Sequence, residues 1–339
     1  MFFNSYQNLT GNLENNAFIQ TIPVKRTLKT LLSLRGELQE QLFEKARRVR
    51  RLSGIDFCML RGVIEVSNYC QKNCSYCAMR ASNRSILRYR MDLEEILDVA
   101  ERIVDTGITV VFLQGGQDPK MDAVIAEAIA EIKKRHRCSI VLCLGEKKPD
   151  IYRKFYSSGA DGYILKFETS DPLLYRAITN SNLDSRLRCI RQLRDIGYKI
   201  GVGNIIGLPE QTSDSIWQDI VLSSKLGPDY VSCAPFIPNQ GVPLENLPYG
   251  DLNMALNWMA ICRIIFRTCL IPSVSALEKI KEGAQLRGLN AGANVMTINF
   301  TPHQYRAKYN IYSKQRFIVS LDHALNTAGR AGLKVILDR

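Results

Sequence analysis

Short apolar runs rich in valine and isoleucine recur along this chain and alternate with longer amphipathic stretches. The runs fall at residues 62–67, 109–114, 139–144, 162–167, 200–206, 230–233, 271–275 and 293–298. Their length and apolarity mark strands buried on both faces. Helical periodicity fills the intervals, most clearly at 92–106, 121–137, 184–196, 213–226 and 251–268. Asp92 with Glu95 three residues later, and Thr212 before Ser213, have the form of N-terminal helix caps. Gly107, Gly159 and Gly197 fall where helices must stop. Eight strand–helix alternations predict an α/β fold, a complete (β/α)8 TIM-type barrel, with a six-strand open version as the competitor. In such a barrel the chemistry sits at the C-terminal ends of the strands.

Residues 1–54 precede the first strand as an N-terminal helical extension, with helices expected at 26–34 and 37–52. Residues 55–339 form the barrel. The first twenty residues are polar and Asn-rich. With 46% hydrophobic residues the composition is globular. No run of eighteen apolar residues is present and the start lacks the form of a signal peptide, so no membrane contact and a cytoplasmic location are expected. In that compartment the ten cysteines read as ligands or buried thiols rather than disulfides.

The formal net charge is +12. Part of it lies in Arg47-Arg-Val-Arg-Arg51 and in Arg80, Arg84, Arg88 and Arg90. Such an excess attracts nucleic acid or an acidic protein. No nucleic-acid motif accompanies it, so a solvated basic face and cations beside an anionic cofactor are the preferred reading. An acidic electron donor stays open as a partner.

The chemistry concentrates in Ser67-Asn-Tyr-Cys70-Gln-Lys-Asn-Cys74-Ser-Tyr-Cys77-Ala-Met-Arg80. Three thiolates at C-x3-C-x2-C spacing can hold three corners of a cubane iron–sulfur cluster and leave the fourth iron open. The loop directly follows the first strand and so falls at the catalytic mouth. A zinc knuckle is the alternative, but structural zinc wants four ligands. The chain has only three histidines and no second closely spaced cysteine pair.

These residues resemble the signature of the radical S-adenosylmethionine (radical SAM) superfamily, including aromatic Tyr76 before the last cysteine. The resemblance implies that Cys70, Cys74 and Cys77 hold one 4Fe–4S cluster. It implies that S-adenosylmethionine chelates the open iron and is cleaved reductively to a 5′-deoxyadenosyl radical, which takes hydrogen from a small-molecule substrate inside the barrel. A reducing donor such as flavodoxin or ferredoxin would supply the electron. Other segments match the superfamily's S-adenosylmethionine motifs. They are Gln114-Gly115-Gly116 in the turn after the second strand, Glu168 at the end of the fourth, Arg186 for the carboxylate, and Gly203-Asn-Ile-Ile-Gly-Leu-Pro-Glu210, whose Ile205 would pack on adenine. Read without the resemblance, these are a glycine turn, a helix-terminal carboxylate and a helix-surface arginine.

The resemblance is closest to the biotin-synthase-like branch, carried by Leu60-Arg-Gly-Val-Ile-Glu-Val-Ser-Asn-Tyr-Cys70, Arg88-Tyr-Arg-Met91, Pro235-Phe-Ile-Pro238 and Leu289-Asn-Ala-Gly-Ala-Asn-Val-Met-Thr297. That branch spans hydrogenase maturation, methylornithine synthesis and biotin synthesis. The second cluster of biotin synthesis lacks its cysteines here, at Phe112-Leu-Gln-Gly and Gly201-Val-Gly-Asn. No cysteine follows Cys269, so an optional C-terminal cluster is absent too. The resemblance thus implies cofactor assembly first, then an amino-acid carbon-skeleton mutase, then sulfur insertion of biotin or lipoyl type. A non-enzymatic metal-binding scaffold is the reading from another class. Cys143, Cys233 and Thr297 are the candidate substrate contacts. Buried core thiols remain the alternative for the two cysteines.

Overall fold

The computed structural model describes residues 30–313 and 315–338. Helix α1 (Gly36–Leu52) leads into β1 (Phe57–Ser67). Then follow α2 (Leu93–Asp105), β2 (Val110–Gly115), α3 (Asp122–Arg135), β3 (Ser139–Cys143), α4 (Pro149–Ser157), β4 (Gly162–Ile164), α5 (Pro172–Thr179), α6 (Leu183–Ile196) and β5 (Lys199–Ile206). After α7 (Ser213–Leu226), β6 (Tyr230–Pro235) and α8 (Leu252–Ile265), two short helices lead to β7 (Val295–Asn299). The chain closes with α9 (Leu321–Arg330, after the shorter ones) and β8 (Lys334–Val335). Seven strands form one curled parallel sheet in the order β6-β5-β4-β3-β2-β1-β7, and β8 adds to the start of β1.

The expected strand at 271–275 is not a strand. Pro272 interrupts the run and has no N–H to give to a ladder. The segment makes only single parallel bridges, Tyr230↔Leu270 on one side and Pro272↔Val295 on the other. The architecture described is therefore a curled seven-stranded sheet with helices outside, in place of eight regular strands. β4 also stops early, at Ile164, yet Glu168 rejoins β5 through a bridge to Asn204. Of the expected helix at 26–34, residues 26–29 lie outside the described residues and 30–32 are helical. The first twenty residues lie outside them as well.

Helix ends follow the sequence. Asp92 and Glu95 form a reciprocal capping box, as do Thr212 and Ser215. α1 rests on α8, where Gln39 Nε2 donates to Asn257 Oδ1 at 2.7 Å. Among the described residues no helix is long and apolar enough to cross a membrane.

Strand alternation sorts side chains between the outer helices and the interior. On β1, Leu60, Ile64 and Val66 join the large core under the helices. Val63 instead joins a second cluster with Val110, Phe112, Val141, Ile164 and Tyr230, which fills the deep interior. Toward the strand ends the inward positions turn polar, with Glu65, Ser67, Gln114, Lys166 and Glu168.

Candidate active site

The cysteine loop leaves β1 and is fastened at its tip. Ser75 N and Oγ both donate to Ile178 O at the end of α5, at 2.7 and 3.0 Å. Asn239 Nδ2 donates to Tyr76 O at 3.0 Å from the loop after β6. Cys70 Sγ accepts two backbone N–H groups, from Lys72 and from Gln117, each at 3.4 Å. Burial pushes the Cys74 thiol up to about 11, with Cys70 beside it adding to the rise. Cys77 is raised further by burial and by both other thiols. Iron loading therefore has to displace the protons of Cys74 and Cys77. Among the described residues no three histidine, cysteine or acidic side chains converge on a point one ion could fill. Ligands to separate corners of a cubane need no such convergence. The all-thiol donor set on one braced loop fits a cluster.

The turn Gln114-Gly-Gly-Gln-Asp-Pro119 packs on that loop. A Cβ at Gly116 would lie 2.1 Å from Tyr69 O and 2.8 Å from Cys70 Cβ, so only glycine fits. Gly115 is close against Ser67 O. The first demand on these glycines is therefore contact with the cysteine loop itself. Asp118 accepts from Ser67 Oγ at 2.9 Å and from Arg90 Nε at 2.7 Å, while the Arg90 guanidinium lies 3.7 Å from the centre of the Tyr69 ring.

Tyr76 and Ile205 come together in one apolar cluster at the mouth, with Leu174, Ile178, Leu208 and Phe236. Glu168 has φ of 63°, a left-handed conformation that a glutamate seldom adopts. Its carboxylate pairs with Lys166 Nζ at 3.0 Å. Arg186, at the start of α6, pairs with Glu146 at 3.0 Å and donates from Nε to Tyr175 Oη at 3.0 Å. Burial alone would lower the Arg186 guanidinium, but Tyr175, Glu146 and Glu168 raise it overall. Glu146 also pairs with Lys72 at 2.7 Å, so one carboxylate links the cysteine loop to Arg186. Behind Glu168, buried Asp219 accepts from Asn204 Nδ2 at 2.7 Å and Ser170 N at 2.6 Å. Burial pushes Asp219 up to about 6.

The two candidate cysteines separate. Cys143 packs against the deep interior cluster, and burial pushes its thiol up to about 11. Cys233 does not face the interior. It is fully buried on the outer side of β6, with Sγ 3.4 Å from Ala255 O of α8. Tyr230 points inward, so strand parity turns Cys233 out. Thr297 faces inward and accepts from Arg61 Nε at 2.7 Å.

Arg61 is the functional candidate that the sequence reading passed over. It is 7% exposed, and its guanidinium lies 4.4 Å from the centre of the Phe112 ring. Burial lowers it to about 10, partly offset by Tyr230, Cys143 and Tyr312 nearby. Among the described residues no carboxylate forms an ion pair with it. The signal was present in Leu60-Arg-Gly-Val, a charge at an inward position of a buried strand. The next inward acid, Glu65, is taken by a bidentate pair with Arg316 from the C-terminal segment.

Residues 64–222 match the sequence profile of the Radical SAM superfamily. The chain is 37% identical over 303 residues to the [FeFe] hydrogenase maturase subunit HydE of Thermotoga maritima, covering 88% of this chain and 87% of that protein. The chain belongs to the radical SAM superfamily. Within the superfamily it falls in the biotin-synthase-like branch. Biotin synthase of Brucella anthropi is 26% identical over 238 residues, 68% of this chain and 70% of that one. The crystal structure of methylornithine synthase (PylB) superposes with a TM-score of 0.82 at 26% identity, covering 93% of this chain and 94% of that one. The protein is a radical SAM enzyme, and the cofactors of such enzymes are a 4Fe–4S cluster held by three cysteines and S-adenosylmethionine.

Proposed function

We propose that this enzyme acts on a small molecule that brings an anionic group to Arg61, inside a complete (β/α)8 barrel formed by residues 55–339 behind an N-terminal extension, 1–54, whose described part is helical at 30–32 and Gly36–Leu52. The single bridges of residues 270–272 to both β6 and β7 support closure of the ring. Cys70, Cys74 and Cys77 hold the cluster. Tyr76, Gln114, Gly115, Gly116, Glu168, Arg186 and Ile205 receive S-adenosylmethionine, which together with the reduced cluster supplies a carbon-centred radical. Ile205 and Tyr76 offer an apolar wall, and Glu168 with Arg186 offers opposite charges. Cys143 and Thr297 lie beside the substrate, and a reducing protein delivers the electron.

The observation that carries this reading is Arg61. A guanidinium this deep, with no carboxylate paired to it among the described residues, is costly unless an anion completes it. The likeness to the hydrogenase maturase favours a role in cofactor assembly. A second reading, rearrangement of an amino acid's carbon skeleton, gains from the same arginine, because an amino acid presents a carboxylate, and from the likeness to methylornithine synthase over nearly its full length.

The test is anaerobic reconstitution with iron and sulfide, then reductant and S-adenosylmethionine. About four irons per chain and release of 5′-deoxyadenosine are expected. Deuterium-labelled carboxylate compounds should then pass label into 5′-deoxyadenosine. Tight binding of zinc with no cleavage of S-adenosylmethionine would overturn the reading in favour of a scaffold.

A further inference from the structure

The segment Arg88-Tyr-Arg-Met91 returns antiparallel to the end of β1 just after the cysteine loop, with a bridge between Ser67 and Arg90. Arg88 points back under the loop. Its Nη1 donates to Asn68 O at 2.6 Å and Met79 O at 2.9 Å, and its Nη2 to Arg80 O at 2.7 Å and Asn83 O at 3.0 Å. Asn68 lies two residues before Cys70, and Met79 two residues after Cys77. One planar fork therefore ties the two ends of the ligand loop together. Asn68 reinforces the tie, donating from Nδ2 to Leu87 O at 2.8 Å and accepting from Tyr89 N at 2.9 Å.

Four carbonyls satisfy the fork's hydrogen bonds but do not cancel its charge. Among the described residues no carboxylate pairs with Arg88, unlike Arg90, which grips Asp118. The fork is anchored on Asn68 and Met79, each two residues from a cysteine of the triad, so its charge is held against both ends of the ligand loop. A cubane held by three thiolates is net negative and becomes more so on reduction. A fixed cation beside it favours both loading and the reduced state.

We propose that Arg88 is a positioning residue for the cluster, closing the loop that carries Cys70, Cys74 and Cys77 and supplying the positive charge that balances the loaded, reduced site. This rests on the cluster reading above.

The test compares full-length wild-type protein, Arg88→Gln and Arg88→Lys after anaerobic reconstitution. Iron content, the rate of cluster loss to a chelator and the midpoint potential of the cluster are measured. Arg88→Gln should lose its cluster about 10-fold faster, as removal of an outer partner of a metal ligand does, and its potential should fall. Arg88→Lys keeps the charge without the four-carbonyl fork, so its loss rate should rise while its potential stays near wild type. Wild-type loss rates in both variants would overturn the proposal. So would a potential unchanged in Arg88→Gln. If Arg88→Gln does not fold, a wild-type loss rate in Arg88→Lys overturns it and a faster one supports it. Failure of wild type itself to take up iron would count against the cluster reading, and is told apart by that control.

Discussion

The deep and outer layers inside the curled sheet are built on different terms. The deep layer is Val63, Val110, Phe112, Val141, Ile164 and Tyr230, packed against one another. The outer layer pairs Glu65 with Arg316, Lys166 with Glu168, and Arg186 with Glu146, beside the cysteine loop. The deep layer holds the sheet's curl by burying apolar surface. The outer layer adds a separate apolar cluster around Tyr76 and Ile205 and, beside it, fixes charges at chosen points. Arg61 crosses between them, rooted beside apolar neighbours and stacked on Phe112. A charge in the stabilising layer is a departure that function explains better than packing does.

The largest test of the division is in the outer layer. Cys74→Ala should abolish both stable iron loading and cleavage of S-adenosylmethionine while leaving the thermal unfolding of the iron-free protein within about 1 kcal/mol of wild type. A large loss of iron-free stability would blur the boundary. Next is a deep-layer change. Phe112→Ala should cost about 3–5 kcal/mol in urea unfolding, with iron loading retained wherever the chain is folded. Third, Arg61→Met should raise the KM for substrate by roughly 30-fold or more, since removing one partner of a buried charged contact costs about 2–5 kcal/mol. Iron content should not change. An unaltered KM would remove Arg61 from the substrate site.

The smallest effect is a pH dependence. Asp219 is held at about 6 by burial, above the ordinary 3.8. Between those values the folded protein binds the extra proton. Its contribution is therefore greatest below about 3.8 and is lost as pH rises through 6, by at most about 3 kcal/mol. Asp219→Asn should flatten this part of the stability–pH curve of the iron-free protein. An identical slope in both would contradict the assignment.

Much of this was legible in the chain. Buried strands are continuous apolar runs, and the cysteine spacing needs no tertiary information. The misses have physical causes. Pro272 sits inside a run that apolarity alone marks as a strand. α4 and α5 span nine and eight residues, too short for periodicity to stand out, although each begins with a proline. Cys233 and Cys143 look alike in sequence, because strand parity is fixed only by the register with neighbours. The tie of Gly116 to Tyr69 is a contact between two loops, which no local pattern carries.

The central claim is that Cys70, Cys74 and Cys77 hold a cluster with one open iron that works on S-adenosylmethionine. The most direct measurement is the yield of methionine and 5′-deoxyadenosine from anaerobically reconstituted, reduced protein, wild type against Cys70→Ala, Cys74→Ala and Cys77→Ala. Equal amounts of the two products from wild type, and none from any of the three variants, is the predicted result. Iron-loaded wild type that leaves S-adenosylmethionine intact, or a variant that still cleaves it, would contradict the account.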